Sequence, residues 1–190
     1  KASSDLLETY DFERMPIARK LLSFTDRIFS AGASVNPAIK LAIRFLAPML
    51  AKFVSNIAPR YMFGFVSQLN IHYHPNKTVK EDLSRPRGKE LARAGRRAPD
   101  AQMKTGGSLF DLMKGYRFNV LVMSKRVISE EARQQFEKKW RAGESLAPEA
   151  EIHWISAELS PAAITRYGVD DVLISLVRPD GYIGFQTDRF

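Results

Sequence analysis

His72 and His74 stand two residues apart in Gln68-Leu-Asn-Ile-His-Tyr-His74. On a strand, that spacing puts both imidazoles on one face. A metal could use such a pair, but the sequence shows no third ligand, so a metal site is not expected. Ser124 ends an apolar run, and the sequence places no histidine beside it as a base. Asp170-Asp171 is a carboxylate pair directly before another apolar run, where aspartates serve as turn formers rather than as acid and base. Gly106-Gly107 is too short for a phosphate loop, and neither Gly-x-Gly-x-x-Gly nor Gly-x-x-x-x-Gly-Lys occurs. Cysteine is absent, which excludes disulfides, thiolate nucleophiles and cysteine-based zinc sites. No catalytic, cofactor-binding or metal-ligating residue is therefore assigned.

Charge gives a second lead. The 190 residues carry a net charge of +8. Lys and Arg outnumber Asp and Glu nine to four over residues 77–104, whereas residues 105–190 are near neutral, eleven to twelve. Arg85, Arg87, Lys89, Arg93, Arg96 and Arg97 suit phosphate contacts. Specific nucleic-acid modules also need aromatic platforms or a groove-reading helix, and no aromatic lies between Tyr73 and Phe110. A solvated linker is the preferred reading. Nucleic acid is disfavoured as a partner, and so is a membrane. No signal peptide is visible, and charges interrupt every apolar stretch before about 18 residues. A cytoplasmic location is the expectation.

The elements that would position these residues are well marked. Ser3, Ser4 and Asp5 can cap a first helix, in which Leu6, Leu7, Tyr10, Ile17, Leu21, Leu22 and Ile28 recur at near-helical spacing. Pro16 predicts a kink or break in it. Residues 32–36 connect to a second helix opened by Asn36-Pro37. Its apolar residues, Leu41 to Val54, cover more than half the circumference, beside a narrow stripe of Lys40, Arg44 and Lys52. A face that wide points to burial on several sides. A third helical stretch is expected over residues 59–67 and a strand over residues 68–74.

Beyond residue 105 the pattern is mixed α and β. It predicts a helical turn within 108–115, a buried strand over 118–123, a helix from Ser129 to about Ala142 ending near Gly143, and a strand over 151–155. A helix capped by Ser160-Pro161 and ended by Gly168 follows. A strand over 172–177, a turn at 179–181 and an antiparallel strand over 182–186 complete the chain.

Three segments carry a family resemblance. Leu6-Leu-Glu-Thr-Tyr-Asp-Phe-Glu-Arg-Met-Pro-Ile-Ala18 resembles the Leu-Leu-x-x-Tyr-x-x-Glu-Arg-x-Pro stretch of FAD-dependent aromatic-ring hydroxylases of the phenol hydroxylase type. Ala94-Gly-Arg-Arg-Ala-Pro-Asp100 resembles the motif that opens their C-terminal domain, and Leu176-Val-Arg-Pro-Asp-Gly-Tyr-Ile-Gly-Phe185 resembles the hairpin that closes it. Residues 160–181 also resemble the second half of a thioredoxin-like unit. Where that unit bears its redox motif this chain has Ser124-Lys-Arg-Val127, and Val172 and Leu173 stand where its proline would fall.

The resemblance implies an α/β fold, with an N-terminal helical segment followed by a thioredoxin-like domain whose central mixed sheet is flanked by helices. Residues 1–75 would be the helical tail of the flavin and substrate domains plus a strand. Residues 76–104 would be a basic linker, and residues 105–190 a thioredoxin-like domain without redox cysteines. The parent enzyme would use FAD, NAD(P)H and oxygen to hydroxylate an aromatic ring. The family's flavin-binding glycines and Gly-Asp motif have no counterpart here, so no cofactor residue is carried over. The implied partners are the N-terminal FAD-binding portion of the same enzyme and further copies of the chain. The implied role is packing and oligomerisation, catalytically silent. The alternative is a basic binding module for anionic membrane or nucleic acid on a redox-inactive thioredoxin-like fold.

Overall fold

The computed structural model describes residues 4–46, 48, 51, 71–73, 79–86, 88, 90–143 and 147–190. It divides into two compact units, Lys1–Ile71 and His72–Phe190.

In the first unit α1 spans Ser4–Gly32 without a break, Pro16 included. Of the kink or break expected at Pro16, the break does not occur. Proline removes one donor, but long helix-forming runs on both sides propagate the helix cooperatively across it. The second helix, α2, runs through residues 37–46, and the Ala38 N–H donates to Asn36 Oδ1 at 2.9 Å, as the Asn-Pro opening predicts. The helix expected over residues 59–67 lies outside the described residues.

The second unit is built on a five-stranded sheet in the order β1-β5-β4-β2-β3. Its strands are β1 (Lys80–Asp82), β2 (Asn119–Ser124), β3 (Glu151–Ser156), β4 (Val172–Val177) and β5 (Ile183–Thr187). β2 runs parallel to β3 and antiparallel to β4, β4 antiparallel to β5, and β5 parallel to β1. The helices are α3 (Leu109–Leu112), α4 (Glu130–Ala142) and α5 (Pro161–Tyr167). The α/β class with a mixed sheet flanked by helices is thus observed.

Residue chemistry sets these boundaries. Ser129 accepts the Ala132 N–H and caps α4, with Glu130 and Glu131 at its positive end and Gly143 closing it. Ser160 accepts the Ala163 N–H and caps α5, whose first residue is Pro161. Gly168 ends α5 in the left-handed conformation.

All six residues of β2 are buried, because the sheet is covered on both faces. On one face Val120, Val122, Ile174 and Leu176 pack with Ala147 and Ala150, and Phe136 and Trp140 of α4 close over them. By alternation Leu121, Met123 and Leu173 point to the other face and are equally buried. Ala163, Ile164 and Tyr167 of α5 are buried against β2 and β3. At about 25 cal/mol per Å² of apolar surface removed from water, this two-sided burial is the main stabilising term.

Two expectations fail here for identifiable reasons. Of the strand expected over residues 68–74, residues 68–70 and 74 lie outside the described residues, and residues 71–73 are not a strand. Alternation does describe their burial, since Tyr73 is buried and His72 exposed, but burial does not require a ladder. The Tyr73 N–H reaches one acceptor, the Gly95 carbonyl, at 2.9 Å. The other surprise is β1. It is three exposed charged residues, Lys-Glu-Asp, with no apolar period to betray it. It lies within the stretch expected as a linker. The described part of that stretch is held in the second unit by β1 and by buried Val79, Ala92, Ala94, Ala98 and Ala101.

Candidate functional site

The structure brings two of the singled-out motifs together. Gly95 N–H donates to the Ile183 carbonyl at 2.8 Å, Ile183 N–H to the Arg96 carbonyl at 2.9 Å, and Ala98 N–H to the Gly181 carbonyl at 2.9 Å. Arg97 and Tyr182 form an antiparallel bridge between them. Residues 95–98 and the hairpin residues 181–183 are therefore one hydrogen-bonded clasp. Within the hairpin, Arg178 pairs with Asp180 at 2.9 Å, and Asp180 Oδ1 accepts the Tyr182 N–H at 3.2 Å. The Arg178 guanidinium lies 5.6 Å from the Tyr73 ring centroid, and Tyr73 in turn packs on Tyr182 at 4.7 Å.

The same segment is anchored to α5 and α3. Asp100 Oδ1 accepts the N–H groups of Ala101 and Phe110, at 2.9 and 3.0 Å. Arg166 Nη1 donates to the Asp100 carbonyl, and Tyr167 donates its hydroxyl to the Pro99 carbonyl at 3.1 Å. Burial, with Asp100 nearby, pushes the Tyr167 phenol far above its ordinary range, so it stays a neutral donor.

The sequence treated the basic residues as one linear run; among the described ones, Arg93 and Arg97 meet different surroundings. Arg93 pairs with Glu81 of β1 at 3.0 Å, and that carboxylate raises its pKa further. Arg97 instead lies over the Gly181 turn and lines a cleft with Arg117, which lies outside the run. Arg87 and Lys89 lie outside the described residues, as does His74. His72 is exposed. Among the described residues no group of three or more His, Asp or Glu side chains is arranged to hold a metal. Ser124 is buried at the end of β2 and donates its hydroxyl to the Arg126 carbonyl, so it is not directed at a base. Asp171 acts through its backbone, its carbonyl accepting the Lys125 N–H at 3.0 Å.

Two clefts flank Arg117 at this end of the sheet. One, about 560 Å³, is lined by Tyr116, Phe118 and Pro148; the other, about 250 Å³, lies between Phe110, Met113 and the Arg178–Gly181 turn. Sequence reasoning missed both, because their walls come from segments far apart in the chain. Asn119 lines the smaller cleft. Behind it, His153 Nε2 meets Asn119 Oδ1 at 2.9 Å, and so carries the proton as donor.

Burial lowers the His153 pKa, with Glu151 opposing that shift. The folded value is thus below the unfolded value of about 6.5. Between the two the unfolded chain binds more protons, so stability is complete above the unfolded value and is lost as pH falls toward the folded one. Urea midpoints at about pH 7.5 and 5.5 should show this loss, and His153→Gln should lessen it. An equal pH dependence in the variant would remove His153 from this role.

Known proteins share this sequence and fold in part. No family model matches the chain. It is 27% identical over 203 residues to a 4-methyl-5-nitrocatechol 5-monooxygenase of a Burkholderia species, covering 98% of this chain and 33% of that protein. It is 29% identical over 189 residues to a flavin-dependent monooxygenase of Mycobacteroides abscessus, covering 98% of this chain and 29% of that protein. Among solved structures, the rebeccamycin biosynthetic enzyme RebC with reduced flavin matches with a TM-score of 0.60 at 21% identity, over 100% of this chain and 35% of that one. At that identity the likeness is one of fold. The resemblance seen in the sequence is borne out at this level: the chain is similar to part of flavin-dependent monooxygenases. It spans about a third of the length of the curated relatives it matches.

Proposed function

We propose that the chain serves as the C-terminal portion of an FAD-dependent aromatic hydroxylase, where it supplies packing and subunit contacts and is itself catalytically silent. One observation carries this reading. In a chain a third the length of its relatives, α1 and α2 leave large apolar side chains in water, among them Phe12, Leu22, Phe29, Leu41 and Phe45. Such surface calls for a covering body. The portion missing relative to those proteins is of the right order to provide one.

FAD, with NAD(P)H as reductant and O2 as oxidant, would supply the oxygen-transfer chemistry from that other portion. Among the described residues, the two clefts named above are open, and neither sets a glycine-rich turn against a helix N-terminus, which supports a flavin held by the other portion. The strand order β5-β4-β2-β3, with β4 antiparallel to its neighbours, supports a thioredoxin-like scaffold, and cysteine-free Ser124-Lys-Arg-Val127 supports its having no redox role. Among the described residues no helix is long and apolar enough to cross a membrane.

The test compares the 190-residue chain with a polypeptide that also carries the region encoded upstream of Lys1. The isolated chain should purify colourless and leave NAD(P)H unoxidised, while the longer one should hold flavin. Flavin bound stoichiometrically by the isolated chain, or an upstream region without flavin affinity, would refute the reading.

A further inference from the structure

We propose that the smaller cleft of the second unit binds a small organic carboxylate with an apolar body. Charge is the first reason. The cleft is lined by Arg97, Arg117 and Arg178 against a single carboxylate, Asp180. Both Asp180 oxygens are engaged, Oδ2 by Arg178 at 2.9 Å and Oδ1 by the Tyr182 N–H at 3.2 Å. Arg97 and Arg117 are exposed, and neither forms an ion pair among the described residues. Nearby carboxylates are committed elsewhere. Asp100 takes the Phe110 N–H at 3.0 Å, and Asp111 takes the Ser108 N–H at 2.8 Å and Lys114 at 3.5 Å. Glu149 lines the neighbouring cleft without pairing with Arg117.

Placement is the second reason. The backbone at Arg97 is fixed by the bridge to Tyr182, and its side chain lies over the turn, since a Cβ on Gly181 would meet Arg97 Nε at 4.0 Å. The Arg117 carbonyl accepts from Asn119 Nδ2 at 3.0 Å, which holds the other cation beside the buried end of β2. A planar guanidinium matches a carboxylate through two parallel hydrogen bonds. Phe110 and Met113 add apolar wall to a space of about 250 Å³. That is near the lower end of ligand pockets and suits a body about the size of one ring.

The site does not depend on the chain's role in a larger enzyme. The test is a titration of the ¹⁵N-labelled 190-residue chain with benzoate, acetate and inorganic phosphate, following the amides of Arg97, Arg117, Asn119 and Gly181. Benzoate should saturate with a Kd on the order of 1 mM, and acetate should bind about tenfold more weakly for lack of a body to fill the walls. Arg97→Gln with Arg117→Gln, both at exposed positions, should weaken benzoate at least about tenfold, converting to ~1.4 kcal/mol, and leave amides remote from the cleft unshifted. Equilibrium dialysis of benzoate against the same two proteins reads the same difference without NMR concentrations. Phosphate equal to benzoate would reduce the cleft to a diffuse positive field. Unsaturable shifts, or a double variant that binds as well as the parent, would also overturn the proposal.

Discussion

Gly95→Ala should cost this chain about 3–5 kcal/mol, a large share of the stability of an ordinary domain. Gly95 has φ +82°, and a Cβ there would lie 2.2 Å from the Tyr73 carbonyl oxygen and 3.1 Å from its carbon. Those are backbone atoms, and the backbone cannot retreat cheaply. Tyr73 N–H is bonded to the Gly95 carbonyl at 2.9 Å, and Gly95 N–H to the Ile183 carbonyl at 2.8 Å. The substitution must break one bond or the other, or abandon the left-handed backbone. Gly168→Ala provides the contrast. It also sits in the left-handed region, with φ +62°, but its Cβ would meet Leu91 Cδ1 at 2.4 Å, the far end of a flexible side chain. About 1–2 kcal/mol is expected there. Urea denaturation followed by tryptophan fluorescence ranks the two, since both tryptophans, Trp140 and Trp154, lie in the second unit. Equal losses, or a loss under about 1 kcal/mol for Gly95→Ala, would mean that the clasp is not what holds the hairpin.

That clasp also shows which features were legible in the sequence. Local chemistry defined α4, α5, β2 and β4 closely, because each combines an apolar period with a cap, a glycine stop or an aspartate turn. The Ala94–Asp100 and Leu176–Phe185 motifs were visible as strings, but nothing in either string says that they bond to each other. Sheet register supplies that information, and register is a property of long-range pairing. β1 was invisible for a related reason. A charged edge strand is specified by its partner β5, through Lys80–Phe185, Glu81–Gln186 and Asp82–Thr187 pairing, and not by its own residues. At Pro16 a strong local rule yielded in part, since the helix continues through it where a kink or a break was expected. The cleft depends on the same long-range pairing as the clasp: Arg97, Arg117 and Arg178 come to line one space only once the register is fixed.

Replacing Met15, Leu22 and Phe29 together by lysine should have opposite effects in the isolated chain and in the longer polypeptide. The three are spaced by seven, two helical turns, so they share one stripe of α1. They are 50, 61 and 72% exposed in this chain. Full burial of such a side chain contributes about 1.5–3 kcal/mol, so covering the exposed part of all three should be worth about 3–5 kcal/mol. Lysine is a good helix former, so α1 itself should persist. In the isolated chain the variant removes sticky surface, and light scattering should show less self-association. Joined to the upstream region, the same change places three charges where apolar contact is needed, and the polypeptide should lose bound flavin and thermal stability together. α2 bears the same signature, with Ile39, Leu41, Ile43 and Phe45 all exposed and spread around its circumference. An isolated wild-type chain that stays strictly monomeric, or a full-length variant with its flavin content intact, would show that water and not a neighbouring body is the natural medium of this face.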